Sequence, residues 1–110
     1  MELRPGQVWW AAPEVTVGRE QPGRRPVLLV ANQDYLDSGT TLALVVPTTS
    51  IDRGWPNHVP LTGDHGLPRS SSAMSEQVRV ISRERLRAPV AEVDPTCLES
   101  VRDWVIDFLT

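Results

Sequence analysis

Two short segments of this chain concentrate its chemistry. Arg24-Arg25-Pro26-Val27-Leu28-Leu29-Val30 opens on paired guanidinium groups before an apolar run, and Leu44-Val45-Val46-Pro47-Thr48-Thr49-Ser50 closes on three consecutive hydroxyl side chains. Each half reads as a buried strand with polar groups at one end. Were the strands to pair, arginine and hydroxyl would converge on one anion, and a phosphodiester is the obvious candidate. Attack of a ribose 2′-OH on its own 3′-phosphate needs neither a metal nor a protein nucleophile. It needs an acceptor for the 2′ proton, a proton for the leaving 5′ oxygen, and cations or donors around the crowded phosphorane. A guanidinium supplies charge and a fork of donors, and a threonine hydroxyl supplies one more. An ordinary arginine keeps its proton, so its role there is to stabilise transition-state charge. On local sequence alone, Arg25 also fits a surface residue paired with Glu20, and Thr49 an ordinary strand-end threonine.

Other catalytic arrangements are missing from the sequence. There is no P-loop, no dinucleotide fingerprint, no nucleophile elbow and no Cys/His pair at metal-ligand spacing, so neither a cofactor nor a metal is expected. His58 and His65 invite an acid–base imidazole pair. His58 lies in a strand, however, and His65 sits between Asp64 and Gly66 as turn chemistry. The catalysis is not expected there.

The 110 residues suit a single domain spanning 1–110 with one modest core. No apolar run approaches the ~20 residues that cross a bilayer, and Met1-Glu2-Leu3-Arg4-Pro5-Gly6 lacks the order of a secretory signal. Cys97, the one cysteine, has no partner in the chain for a disulfide, which fits a reducing cytoplasm, and its place suggests a small core residue. The formal charge of −3 argues against a general nucleic-acid binder. All 11 cations are nevertheless arginine. Generous use of Ala, Arg, Gly, Pro and Val accounts for part of that as codon bias. Guanidinium groups also suit bidentate phosphate contact and stacking on bases.

The elements that must position these groups are mostly β. Gln7 to Ala11 predicts a first strand after the Pro5-Gly6 turn, Pro26 to Asn32 a second, and Thr41 to Pro47 a third that is nearly all apolar and hence central. Pro13 to Gly23 is a long loop, a length that usually carries function, and Asp52 to Asn57 is another. Asp34 to Gly39 reads as a turn or a single helical turn. His58 to Leu61, Ser72 to Ser75 and Gln77 to Ile81 read as short strands, the last of the barrel, and Arg83 to Leu86 as a brief helical turn. Strands this short between Gly/Pro turns suggest a small closed or half-closed barrel. The C-terminus predicts a helix, with Asp94 as N-cap and Pro95 at the first position. Leu98, Val101, Val105 and Phe108 form its apolar stripe, widened by Trp104 and Leu109, while Arg102, Asp103 and Asp107 face away.

Five ordered blocks resemble the MazF/PemK family of toxin endoribonucleases over nearly the whole chain. They are Pro5-Gly6-Gln7-Val8-Trp9-Trp10, Gly18 to Val27 around Glu20-Gln21 and Arg25-Pro26, Val46 to Ser50, Trp55 to Leu61, and Ser75-Glu76-Gln77-Val78-Arg79 with Arg83 to Leu86 behind it. Arg19, where the family usually has a small serine, and the extra Arg24 depart from the pattern. The resemblance implies an SH3-like β-barrel with a C-terminal helix. It assigns the catalytic roles to Arg25 and Thr49, and substrate binding to Glu20, Arg24, Ser50, Gln77 and Arg79. It further implies a cytoplasmic homodimer that cuts single-stranded RNA at short specific sequences, without a metal, leaving a 2′,3′-cyclic phosphate and a 5′-OH. Its partner would be a small acidic antitoxin protein, through which the pair associates with operator DNA.

Two rival classes share parts of this signature. A CcdB-like DNA gyrase poison has the same barrel without the arginine and threonine. A non-catalytic SH3-like binding module needs an aromatic groove, which one Tyr and one Phe supply poorly. Trp9 and Trp10 alternate on a strand, one for the core and one for an interface; Trp55 either stacks on a base or anchors its loop. Arg19, Arg24, Arg25, Arg53 and Arg79 fall on loops and strand ends around one groove, whereas Glu92, Asp94, Glu99, Asp103 and Asp107 gather at the C-terminal helix. A positive groove on an acidic body would attract RNA and an acidic peptide alike.

Overall fold

In a computed structural model the protein is described at residues 2–12, 24–64 and 66–110. The predicted Pro13–Gly23 loop, with Arg19 and Glu20, and the His65 turn lie outside the described residues. Seven strands and two helices follow one another as β1 (Gln7–Ala11), β2 (Arg25–Leu29), α1 (Gln33–Leu36), β3 (Leu42–Thr49), β4 (His58–Pro60), β5 (Ser72–Met74), β6 (Arg79–Ser82), β7 (Leu86–Glu92) and α2 (Pro95–Leu109). Short 3₁₀ turns cover Ser75–Gln77 and Arg83–Arg85. Every described strand pairing is antiparallel, in the order β4-β5-β3-β2-β1-β7 with β6 also on β3. The mainly β architecture with a C-terminal helix is the one expected. The sheet does not close, since β4 and β7 at its ends do not pair, so "barrel" describes it loosely.

The central strands are apolar without interruption because both faces of the sheet are covered. Trp9, Ala11, Val27, Leu29, Ala43 and Val45 meet Ile81, Leu86 and Leu36 on one side. Val8, Leu28, Val30 and Val46 meet Val59, Leu61, Ala73 and the α2 residues Cys97 and Val101 on the other. Period-2 alternation thus feeds two cores instead of one core and solvent. Trp9 takes the core position foreseen for one of the paired tryptophans, while Trp10 is half-buried. Cys97 is a free, buried thiol whose titration burial pushes up.

Strand β7 was not foreseen; the last strand was expected to end at Ile81. Its segment, Leu86-Arg87-Ala88-Pro89-Val90-Ala91-Glu92, contains a proline, which argues against a central strand. It is an edge strand on β1, and Pro89 sits opposite Trp9 beside a register shift, where a missing N–H costs least.

Asp94 caps α2 by accepting the Cys97 N–H at 2.8 Å, and Pro95 stands in the first turn. The helix packs as far as Trp104 and Val105, leaving Ile106, Phe108 and Leu109 exposed at 57, 48 and 78%. Arg102 does not face away as its helical phase suggested. Its guanidinium reaches back to donate to the Val30 and Ala31 carbonyls at 2.9 and 3.0 Å. Arg83 does the same for Leu42 and Leu36, and Arg85 for Ala12. A planar fork can bridge two chain-end carbonyls that would otherwise lack donors, a geometry unavailable to a lysine point charge. Part of the all-arginine composition is therefore structural.

Candidate active site

The pairing of β2 with β3 brings the two chemical segments together. Val27 lies opposite Pro47, Leu28 opposite Val46 and Leu29 opposite Val45. Continued two residues toward the open end, that register sets Pro26 against Thr48 and Arg25 against Thr49. Cross-strand neighbours have Cβ atoms about 4.5–5.5 Å apart, so a guanidinium and a hydroxyl there can share one ligand.

The two threonines do different work. The Thr48 hydroxyl donates to the Pro26 carbonyl at 3.1 Å, tying β3 to β2 at the strand mouth. Thr49 Oγ1 accepts the Ile51 N–H at 3.1 Å and so retains its own O–H as a donor. Of the two threonine hydroxyls, only Thr49's keeps its proton available to a ligand.

A cavity of about 390 Å³ opens at this mouth. Arg24, Arg25, Thr49 and Ser50 all line it, together with Trp10 and, from the segment leading into β5, Arg69 and Ser71. No Asp or Glu is among its described lining residues, and neither Arg24 nor Arg25 has a hydrogen-bond or ion-pair partner among the described residues. The alternative pairing of Arg25 with Glu20 falls on a residue outside those described. Three guanidiniums without a partner among the described residues, hydroxyls and a half-buried indole make a receptor for an anion carrying a flat ring, and no carboxylate or imidazole is among the described lining residues.

Gln77 and Arg79 stand apart from that cavity. Arg79 donates to the Gln77 side-chain oxygen at 3.0 Å, and Gln77 Nε2 approaches Met74 Sδ at 3.6 Å. Next to Gln77 in the same turn begins a polar cluster, buried only at His58, that sequence reasoning had only half seen. Glu76, from the Ser75–Gln77 turn, takes the Asn57 amide at 2.9 Å and lies 3.1 Å from His58 Nε2. Burial alone would raise the Glu76 carboxyl, but His58 and the residue's own backbone N–H hold it below the usual carboxylate value. His58 is buried, its Nδ1 without a partner among the described residues, and its ring packs at 4.8 Å and 58° against Trp55. Arg53 Cζ lies over the Trp55 ring, 5.7 Å from its centroid. Trp55 therefore anchors its loop, yet remains half exposed.

His58, Arg53 and Asp52 line a second cavity of about 330 Å³, contiguous with the first through Thr49, Ser50 and Ser71. Arg69 and Ser71 were missed in the sequence because Pro68-Arg69-Ser70-Ser71 reads as an ordinary polar turn.

Comparison with known proteins places the chain in a family. The chain is 30% identical over 103 residues to Endoribonuclease EndoA of Bacillus subtilis, covering 92% of this chain and 89% of that protein. It is 31% identical over 98 residues to the Endoribonuclease toxin MazF of Escherichia coli, covering 88 and 85% of the two chains. The fold superposes on MazE-MazF (Form-II) from Deinococcus radiodurans with a TM-score of 0.83 and 29% identity, over 97% of this chain and 95% of that one. Residues 4–109 match the family described as PemK-like, MazF-like toxin of type II toxin-antitoxin system, and the chain belongs to that family.

Proposed function

We propose that this protein is the toxin of a toxin–antitoxin pair and a sequence-specific endoribonuclease that cleaves single-stranded RNA without a metal. The observation that carries the reading is that Arg25 and Thr49 line one cationic cavity with no Asp or Glu among its described lining residues, with the Thr49 hydroxyl left free to donate. The 2′ oxygen attacks the adjacent phosphorus and yields its proton to water, while the P–O5′ bond breaks and the 5′ oxygen takes a proton from water. The products are a 2′,3′-cyclic phosphate and a 5′-OH. Arg25 holds the non-bridging oxygens with charge and paired N–H donors, and Thr49 adds one O–H, so neither residue changes protonation state. The named activities of the EndoA and MazF relatives support the reaction class. Among the described residues no three His, Cys, Asp or Glu side chains could hold a metal ion.

In this reading Arg24 and Ser50 bind the phosphate backbone beside the scissile bond, with Glu20 from the neighbouring loop. Gln77 and Arg79 contact bases further along the strand. The working form is a cytoplasmic homodimer, a reading supported by the exposed apolar end of α2, because an unpartnered face of Ile106, Phe108 and Leu109 is costly in water. An acidic, partly disordered antitoxin competes with RNA for the arginine groove and carries the pair to operator DNA, a reading supported by structural neighbours of the MazE-MazF kind. The test is incubation with a defined RNA in EDTA, mapping cut ends by primer extension. Cleavage at a recurring short sequence is expected; loss in EDTA with recovery on magnesium would overturn the metal-free mechanism.

A further inference from the structure

The arginines of this chain divide sharply by what their guanidiniums touch. Of those described, Arg83, Arg85 and Arg102 are bound to backbone carbonyls, Arg4 pairs with Glu92, Arg79 with Gln77, and Arg53 lies over Trp55. Arg24, Arg25, Arg69 and Arg87 alone have no partner among the described residues, and three of these four line one cavity. Among the described residues, folding has employed six of the other guanidiniums and left a cluster of three without a partner at one place. Three like charges around a space with no Asp or Glu among its described lining residues repel one another, a cost tolerated where an anion neutralises them.

Arg69 differs from Arg24 and Arg25 in the element that carries it. It comes from the segment between β4 and β5, on the side of β3 away from β2, where Ser72 pairs with Thr49. That segment is pinned on both sides of Arg69. The Ser71 hydroxyl donates to the Arg69 carbonyl at 3.1 Å, the Ser71 carbonyl accepts the Leu61 N–H at 2.9 Å, and Gly66 fits so tightly on β7 that a Cβ there would lie 2.6 Å from Val90 Cγ1. The backbone is held while the side chain is spent on nothing, which is how a ligand-facing cation is presented.

Resting on the ribonuclease reading above, we infer that Arg69 is a substrate-binding residue that holds a phosphate flanking the scissile one, so that the nucleic-acid backbone is gripped from both walls of the cavity. A chain bound this way cannot rock about a single Arg25 contact, and the scissile phosphate is fixed between β2–β3 on one side and Arg69 on the other. Because Arg69 contacts a phosphate outside the reacting bond, its loss weakens binding and leaves the chemical step nearly untouched.

The experiment measures binding of a fluorescent single-stranded oligodeoxynucleotide of mixed sequence, which has the phosphates but no 2′-OH to react, across a salt series. Wild type, Arg69→Ala and Arg87→Ala are compared, the last removing an arginine that likewise has no partner among the described residues but does not line this cavity. Arg69→Ala is expected to weaken binding about tenfold at low salt and to flatten the slope of log K against log salt by about 0.7, the value for one phosphate contact on a single strand. Arg87→Ala should leave both unchanged, and RNA cleavage by Arg69→Ala should show raised KM with kcat within about twofold. An unchanged slope, or an equal change in both variants, overturns the inference. If wild type fails to cut RNA but the slope change appears, the anion site stands and the nuclease reading falls; if wild type cuts and the slope is unmoved, only Arg69 is misassigned.

Discussion

Replacing Thr48 and Thr49 by valine, one at a time, separates holding the site from acting in it. Valine keeps the branched shape and removes only the hydroxyl, so the two variants differ in which hydrogen bond is lost. Thr48→Val deletes the half-buried bond to the Pro26 carbonyl, a loss of about 0.5–1.5 kcal/mol in stability. For a domain of this size that lowers Tm by roughly 4–8 °C per kcal/mol. Cleavage at a temperature where the variant is folded should stay within a few-fold of wild type. Thr49→Val deletes an acceptor for the exposed Ile51 N–H, which water can replace, so Tm should hardly move. It also removes the O–H that the proposed mechanism gives to the phosphorane. Loss of a single such donor costs about 2.7–4 kcal/mol in the transition state, or a fall of about 10²–10³ in kcat. The assay is single-turnover cleavage of one RNA beside thermal unfolding followed by circular dichroism. An inactive Thr48→Val with an active Thr49→Val would refute the assignment, and with it the register argument.

Three further outcomes follow from the same geometry. Arg25→Ala should keep the fold and lose about 3–5 kcal/mol of transition-state stabilisation, while Arg24→Ala should mainly weaken RNA affinity in a salt-dependent way; cleavage rates of the two variants at several ionic strengths check this. Gly63→Ala should lower Tm by several degrees, because Gly63 sits at φ +87° and an added Cβ would lie 2.8 Å from the Asp94 backbone nitrogen at the start of α2; the left-handed backbone alone costs about 1–2 kcal/mol. Glu76, depressed below its ordinary 4.5, binds its proton more readily in the unfolded chain, so its stabilisation is complete above that value and disappears as pH falls through the folded one. The Tm advantage of wild type over Glu76→Gln should therefore shrink below pH 4.5, as a pH series of melting curves would show.

What could be read from the sequence was whatever local pattern alone decides. Strand β1 and helix α2 fall where alternation, the Pro5-Gly6 turn and the Asp94-Pro95 cap put them, because caps and turns act within a few residues. Strand β3 was recognisable as central because nothing polar interrupts it until Thr48. Strand β7 was hidden by Pro89, since a proline forbids a central strand but not an edge at a register shift, and edge position is a property of the whole sheet. Arg102 illustrates a second limit. Helical phase fixes where Cα–Cβ points, but a long side chain can double back to a strand end that lies 71 residues away in sequence.

The site follows the same division. Arg25 and Thr49 were legible as chemistry, and their convergence depended on a single pairing, β2 with β3, that adjacent apolar strands make readily. The choice between Thr48 and Thr49 came from family resemblance alone until the Pro26 hydrogen bond supplied a physical reason. Glu76 looked like part of a substrate motif, but its carboxylate is occupied by Asn57 and His58. Arg69 was invisible because its importance lies in a missing partner, which sequence cannot record.

The central claim is that the ribose itself is the nucleophile and the protein only holds and neutralises. An RNA carrying 2′-deoxyribose at the single nucleotide 5′ to the mapped cut tests it most directly. The account predicts binding comparable to the unmodified RNA, no cleavage at that position, and a cyclic phosphate with a 5′-OH on the unmodified control. Cleavage of the deoxy-substituted RNA at the same bond, or products ending in a 5′-phosphate, would contradict it.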